Sequence, residues 1–229
     1  MPYIVILETS TEVCSVSIVD HEKILVTVES EESFQHTAKL TLQIEEALNK
    51  VLLTFEDLSA IALSSGPGSY TGLRVGSSTA KGICFARNIP LISLDSLKGL
   101  SYVGHEIVPN ANNYVISMID ARRDEVYAAV FDPNHHVLEP GKPIILDGQS
   151  FKRFRQSGTV WHLCGNGAAK AIELLEFDEI KVSTHKTSAH YFSHMARNAY
   201  LREDFVDIAY FSPIYYKPPN ITISNKPLI

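Results

Sequence analysis

Runs rich in apolar and β-branched residues cover Tyr3 to Thr9, Ser15 to Val19 and Lys23 to Glu29, and the short polar segments Ser10 to Cys14 and Asp20 to Glu22 separate them. That pattern predicts a three-strand meander. From His36 to Leu52 the period changes: Leu40, Ile44, Ala47, Leu48 and Val51 recur at helical spacing. Thr54 with Asp57 has the form of a capping box opening a short turn. A buried-type strand over Ala60 to Leu63, a glycine-rich loop, a helix from about Gly72 to Arg87, a strand over Pro90 to Leu94 and a helical patch from Ser96 complete the order βββαβαβα.

The second half repeats this order in weaker form. Strands are predicted over Tyr114 to Ile119, Glu125 to Phe131 and Val137 to Glu139, then a weak helix around Gln149 to Arg155 and a strand over Val160 to Cys164. After Gly165-Asn166-Gly167 follow a helix over Ala168 to Glu176, a strand over Ile180 to Ser183 and a helix from Ser188 to about Arg202. Two lobes with matching order imply an internal duplication whose second copy is degenerate. We place the first lobe at residues 1–105 and the second at 106–229, with a hinge over Gly99 to Asn113. Beyond Phe205, four prolines predict an extended tail whose aromatics Tyr210, Phe211, Tyr215 and Tyr216 lie on the body of the protein.

With 229 residues, 45% of them hydrophobic, the chain is long enough to bury roughly 70% of its unfolded surface. Twenty Lys and Arg against 26 Asp and Glu give a net charge of −6, which argues against a broad phosphate-neutralising surface. Cys14, Cys84 and Cys164 are odd in number and far apart, and Met1 to Leu7 has no basic, signal-like character. The expectation is a cytoplasmic protein without membrane association.

The segment Ser64 to Gly76 concentrates the candidate chemistry, because it sets Gly66, Gly68, Gly72 and Gly76 between an apolar strand and a helix. Bare backbone N–H groups beside a helix N-terminus can receive an anion, so Gly66, Pro67, Gly68, Ser69, Tyr70, Thr71 and Gly72 form a candidate nucleotide or anion contact. Two familiar signatures are absent. A P-loop ends in Gly-Lys-Ser/Thr where this loop runs into Leu73-Arg74, and the glycine spacing misses the dinucleotide fingerprint by one residue. Tight strand-to-helix packing accounts for the loop equally well. Along the following helix Gly72, Gly76 and Ala80, with Ser77 beside them, form a smooth stripe. Each interior glycine costs about 0.5–1 kcal/mol relative to alanine, so a close neighbour must offset it, either within the lobe or across a subunit interface.

Other candidates carry less. His190 and His194 have the i, i+4 spacing of metal ligands, but no third ligand accompanies them. His135-His136 reads as a solvated hairpin tip, and the cysteines as buried structural thiols. The run Asp120 to Glu125 is either a charged turn or a phosphate or carboxylate holder through its arginines.

The duplicated lobe, beginning Ile-Leu-Glu-Thr-Ser-Thr and carrying Gly-Pro-Gly-Ser-Tyr-Thr-Gly-Leu-Arg-Val-Gly, resembles the actin-like ATPase (ribonuclease H-like) superfamily and, within it, the TsaB family. His36-Thr37, Ala80-Lys81-Gly82, Ile119 to Tyr127 and Pro213 to Pro219 extend the likeness over nearly the whole chain. It implies a duplicated actin-like fold. It also implies a non-catalytic dimerisation subunit of the bacterial machinery that places threonylcarbamoyl on the adenosine beside the anticodon. The implied partners are a TsaD-type catalytic subunit and a TsaE-type ATPase, with a homodimer when the chain is alone and tRNA reached only through the complex. In that family the glycine-loop helix and the one before it pack on the partner, which makes Leu40, Ile44, Leu73, Gly76, Ser77 and Ala80 candidate interface positions. The catalytic relative carries a His-x-Glu-x-His-type metal motif where this chain has Ser96, Lys98 and Leu100, which cannot ligate a metal. Glu8 stands where the superfamily usually has an Asp that contacts magnesium-phosphate. The resemblance therefore implies no metal and no cofactor in the isolated chain, and leaves room for a nucleotide at the subunit junction. A metallopeptidase and a small-molecule kinase of the superfamily are the alternatives.

Overall fold

A computed structural model describes residues 2–30, 36–107, 113–154, 158–175, 179–183 and 186–218. The first sheet contains β1 (Tyr3–Glu8), β2 (Ser15–Val19), β3 (Ile24–Glu29), β4 (Leu58–Gly66) and β5 (Leu91–Asp95), in the order β3-β2-β1-β4-β5. The meander pairs antiparallel, and β1, β4 and β5 run parallel. Helices α1 (His36–Lys50) and α2 (Tyr70–Arg87) cover one face, and α3 (Ser96–Ile107) follows β5.

The second sheet contains β6 (Asn113–Asp120), β7 (Glu125–Phe131), β8 (Val137–Ile145), β9 (Val160–Cys164) and β10 (Glu179–Val182). Its order, β10-β9-β6-β7-β8, repeats the first: β6 pairs antiparallel with β7 and parallel with β9, as β1 does with β2 and β4. This is the duplicated actin-like architecture. The degeneracy is local. Where helices are expected over 149–155 and 168–176, the described residues hold only the short turns Lys152–Phe154 and Ala168–Lys170. Segments this short sit below the length at which helix propensity sustains a helix without packing. The final helix, α4, spans Ser193–Leu201 after a separate turn over Ala189–Phe192.

Successive residues of a strand point to opposite faces, and the central strands use both. Val5, Leu7, Ile61 and Leu63 pack against Leu40, Ile44 and Ala80 of α1 and α2. Ile4, Ile6, Ala60 and Ala62 pack against Ala189, Phe192 and Ala196, which come from the end of the chain. Reciprocally, Leu97, Leu100 and Val103 of α3 pack against Val115, Ile119 and Phe131 of the second sheet. Each sheet is thus closed by a helix from the far side of the chain. A cut at residue 105 divides the sequence at the end of α3 but does not divide the packing. Nor is Gly99 a hinge: it lies inside α3, where an added Cβ would fall 2.2 Å from the Phe192 ring. The rest of the expected hinge includes 108–112, outside the described residues.

The tail runs back over both lobes. The Ile214 amide donates to the Ser65 carbonyl at 2.7 Å, Tyr215 packs on Tyr70, and Tyr216 meets Tyr127 edge-on. Phe211 joins the first-lobe core, whereas Tyr210 is 88% exposed, so the expectation that all four tail aromatics lie on the body fails at this one. No helix among the described residues is long and apolar enough to cross a membrane.

Candidate functional site in the interlobe cleft

At the end of β1 the chain turns through Thr9, Ser10 and Thr11, all buried. Glu8 is completely buried there. The Ser10 amide and hydroxyl both donate to its Oε1, yet burial outweighs them and pushes its carboxyl up to about 7. Burial, with the Glu8 charge nearby, pushes the Cys14 thiol up to about 12, so this cysteine is inert at neutral pH. Burial likewise raises Cys84 to about 11 and Cys164 to about 12.

The glycine loop lies on this turn. An added Cβ would fall 2.2 Å from the Ser10 carbonyl oxygen at Gly68, 2.1 Å from that of Thr9 at Gly72, and 2.4 Å from the Thr9 hydroxyl at Gly76. Gly66, at φ +115°, lies under the Ile214 carbonyl. Much of the loop's donor capacity is used internally. Gly66 N–H bonds the Ser96 hydroxyl at 3.1 Å, Ser69 N–H the Ser10 carbonyl at 2.7 Å, and Gly72 N–H the Ser69 side chain at 3.2 Å. Ser69 is the N-cap, so α2 starts at Tyr70 rather than at Gly72. The glycines serve close packing, and Pro67, Gly68, Ser69, Tyr70 and Thr71 line one wall of the cleft.

The small-residue stripe is filled from inside the lobe by Thr9. Leu40, Ile44, Leu73, Gly76, Ser77 and Ala80 are all buried within this chain and present no surface to a partner. What α1 and α2 expose is a different set, including Leu42 at 61% and Phe85 at 83%. The segment after β5 is equally internal. Ser96 holds Gly66, Asp95 accepts from the Lys98 amide at 2.8 Å, and Leu100 is core. Among the described residues no three His, Cys, Asp or Glu side chains gather as metal ligands. His190 and His194 do not share a helix, since His190 sits in the turn before α4. His135 is no solvated tip: its ring stacks on Tyr102 at 3.7 Å, and its Nδ1 lies 3.0 Å from the Ser101 hydroxyl.

The cleft encloses about 520 Å³ between the two β-turns. Its second wall is the β6–β7 turn from Asp120 to Glu125, in which Arg122 and Arg123 both take left-handed backbone (φ +69° and +52°). Lys170 holds that turn through the Asp120 carboxylate (2.7 Å) and the carbonyls of Arg123 (2.6 Å) and Glu125 (3.2 Å). Asn166 bridges the lobes, donating to Glu12 at 2.7 Å and accepting from the Asp120 amide at 2.9 Å. Lys217 of the tail pairs with Glu125. Sequence reasoning missed Glu12, Asn166, Lys170 and Lys217 as site residues. The Gly-Asn-Gly around position 166, which repeats a glycine turn in the second lobe, was the available signal for Asn166, and the Pro213 to Pro219 segment was the one for Lys217.

Two lobes of matching strand order around a cleft lined by their turns make this a protein of the duplicated actin-like class. The family described as TsaD, tRNA N6-adenosine threonylcarbamoyltransferase, matches residues 28–219. A tRNA threonylcarbamoyladenosine biosynthesis protein TsaB from Buchnera aphidicola is 30% identical over 171 residues, 72% of this chain and 75% of that one. The TsaB of Haemophilus influenzae is 35% identical over 122 residues, and this stretch spans half of that relative's length and 53% of this chain. The structure of YeaZ from Pseudomonas aeruginosa superposes with a TM-score of 0.82 at 22% identity, covering 94% of this chain and all of that one, which shows the shared fold. The chain belongs to the TsaB family, within the wider family that TsaD names.

Proposed function

We propose that this chain is a non-catalytic subunit of the machinery that forms threonylcarbamoyladenosine on tRNA, acting beside a TsaD-type catalytic subunit and a TsaE-type ATPase. Ser96, Lys98 and Leu100 carry this reading: they occupy the segment where the resemblance puts the catalytic relative's metal ligands. A hydroxyl bonded to Gly66 and a leucine in the core leave no donor set there. The buried stripe moves the partner-facing surface outward, to the exposed face of α1 and α2 with Leu42 and Phe85, and the same face serves a homodimer when the partner is absent. With its net charge of −6 the subunit meets tRNA through the complex.

Reconstitution tests this. The purified chain alone is expected to give no threonylcarbamoyladenosine, and TsaD-type and TsaE-type subunits together with it should produce the modified base. Turnover by the lone chain, or unchanged turnover when it is left out, defeats the proposal. Phe85→Asp should abolish association in sedimentation while the melting temperature stays within about 2 °C, because Phe85 is a surface residue.

A further inference from the structure

The second sheet carries a pocket on the face turned away from α3, where the second lobe lacks its copy of a helix. In the first lobe the segment between β3 and β4 is α1, which covers the sheet with Leu40, Ile44 and Leu48. Between β8 and β9 the described residues supply Phe151 and Phe154 instead, the latter from the turn Lys152–Phe154. This shorter cover leaves a cavity of about 290 Å³ lined by Tyr114, Asp132, Leu138, Phe154 and Trp161. None of these residues lines the interlobe cleft.

Strand register brings its chemistry together. Tyr114 of β6 pairs with Trp161 of β9, and Val115 pairs with Phe131 of β7, so the next step along the second ladder sets Asp132 beside Tyr114. Laterally paired residues share a face. The Tyr114 and Phe154 rings lie 5.2 Å and 6.2 Å from Trp161, which is buried and forms the floor between two half-buried sides. Asp132 Oδ1 accepts from the Asn134 and His136 amides, both at 2.8 Å, and its Oδ2 lies 3.0 Å from His136 Nδ1. Burial works to raise this carboxyl, but the bonds from His136 and Asn134 outweigh it and hold it below the usual carboxylate range. It is a fixed negative charge at neutral pH. Among the described residues no Lys or Arg lines the pocket to neutralise it. The cluster does attract cations: Arg153, outside the lining, sets its guanidinium over Phe154 at 4.8 Å while pairing with Glu139 at 2.6 Å.

We propose that this pocket binds a small alkylated ammonium compound, its cationic head between Tyr114, Phe154 and Trp161 and facing the Asp132 carboxylate. Aromatic faces carry negative potential and attract a cation without a hydrogen bond. A carboxylate offers about four acceptor sites, and three bonds already fall on Asp132, so a donor-rich primary ammonium or guanidinium gains little there. An alkylated head brings no donors to satisfy and gives up less hydration on entry. The volume, about 290 Å³, suits a compact cation and is small for a nucleotide. The proposal concerns binding alone and does not rest on the scaffold role.

Trp161 is the single tryptophan of the chain, so its fluorescence reads the pocket directly. The full chain is titrated with choline, with 3,3-dimethylbutan-1-ol as its neutral carbon isostere, and with ethanolamine as the unalkylated ammonium. Choline is expected to change the Trp161 emission saturably and to bind at least about tenfold more tightly than either of the others. Asp132→Asn keeps an acceptor for the two amides but loses the charge, and should weaken choline by about tenfold. Phe154→Leu keeps apolar cover but loses the aromatic face, and should weaken it by about threefold or more. Tyr114→Phe keeps the ring and should stay within about threefold of the parent, which guards against a general effect on the fold. Absence of a saturable change with choline, equal binding of the neutral isostere, unchanged affinity in either Asp132→Asn or Phe154→Leu, or equal loss in all three variants overturns the assignment. Ethanolamine binding as tightly as choline overturns the alkylated character of the ligand.

Discussion

Glu8 ends β1 with its carboxyl fully buried, one oxygen holding Ser10 and the other, Oε2, without a hydrogen-bond partner among the described residues. Its folded pKa, about 7, lies above the ordinary value of 4.5, so the folded state binds the proton more tightly than the unfolded chain. The linkage sign follows. The stability due to the neutral carboxyl is complete below pH 4.5 and is lost as pH rises through about 7, a change on the order of 3 kcal/mol. Chemical denaturation between pH 4 and pH 8 should show this decline, and Glu8→Gln should remove most of it. An equal decline in the variant would place the titration elsewhere. That an acid of unusual length stood at the end of the first strand was legible in the sequence. Its burial was not, because burial depends on Ser64 and the glycine loop arriving more than 50 residues later in the chain.

At the scale of the element, α2 contains glycines of opposite meaning. Gly72 meets the Thr9 carbonyl oxygen 2.1 Å from where a Cβ would stand, whereas a Cβ at Gly82 would meet nothing within 4 Å. The same substitution therefore has opposite signs on one helix. Gly72→Ala forces backbone apart and should destabilise by about 1–3 kcal/mol, while Gly82→Ala should stabilise by about 0.5–1 kcal/mol through helix propensity. Thermal melts of the two variants decide it, and a shared sign would sink the argument. The stripe Gly72, Gly76, Ala80 announced a close neighbour in the sequence, but spacing on one helix cannot say what approaches it. The neighbour proved to be the turn after β1 rather than another helix. In the second half the strands were legible from their apolar runs, although β8 runs on past Glu139 to Ile145, and α4 was legible too, whereas the two helices expected over 149–155 and 168–176 did not form among the described residues. Ala168 to Glu176 has the composition of a helix, but among the described residues only Ala168–Lys170 form a helical turn.

At the scale of the molecule, the repeated element order was enough to reveal the duplication. The exchange of helices between lobes was hidden, since nothing local to α3 or α4 says which sheet each will cover. The tail adds a second cross-connection whose aromatic content was visible and whose path was not. Gly66 and Gly141 are shaped for it: an added Cβ would fall 2.5 Å from the Ile214 carbonyl oxygen at the first and 2.6 Å from the Tyr216 hydroxyl at the second. Tyr215 on Tyr70 fastens the tail to the first lobe, and Tyr216 on Tyr127 with Lys217 on Glu125 fastens it to the second. A segment anchored on both sides of a cleft limits how far the lobes can part. Replacing both tyrosines, Tyr215→Ala with Tyr216→Ala, removes two aromatic pairs and their buried area, about 2–4 kcal/mol together. The double variant should melt several degrees lower and show faster amide exchange in the turns at Ser10 and Arg122, which face each other across the cleft. A fall in melting temperature with exchange unchanged in those turns would show that the tail adds stability without joining the lobes.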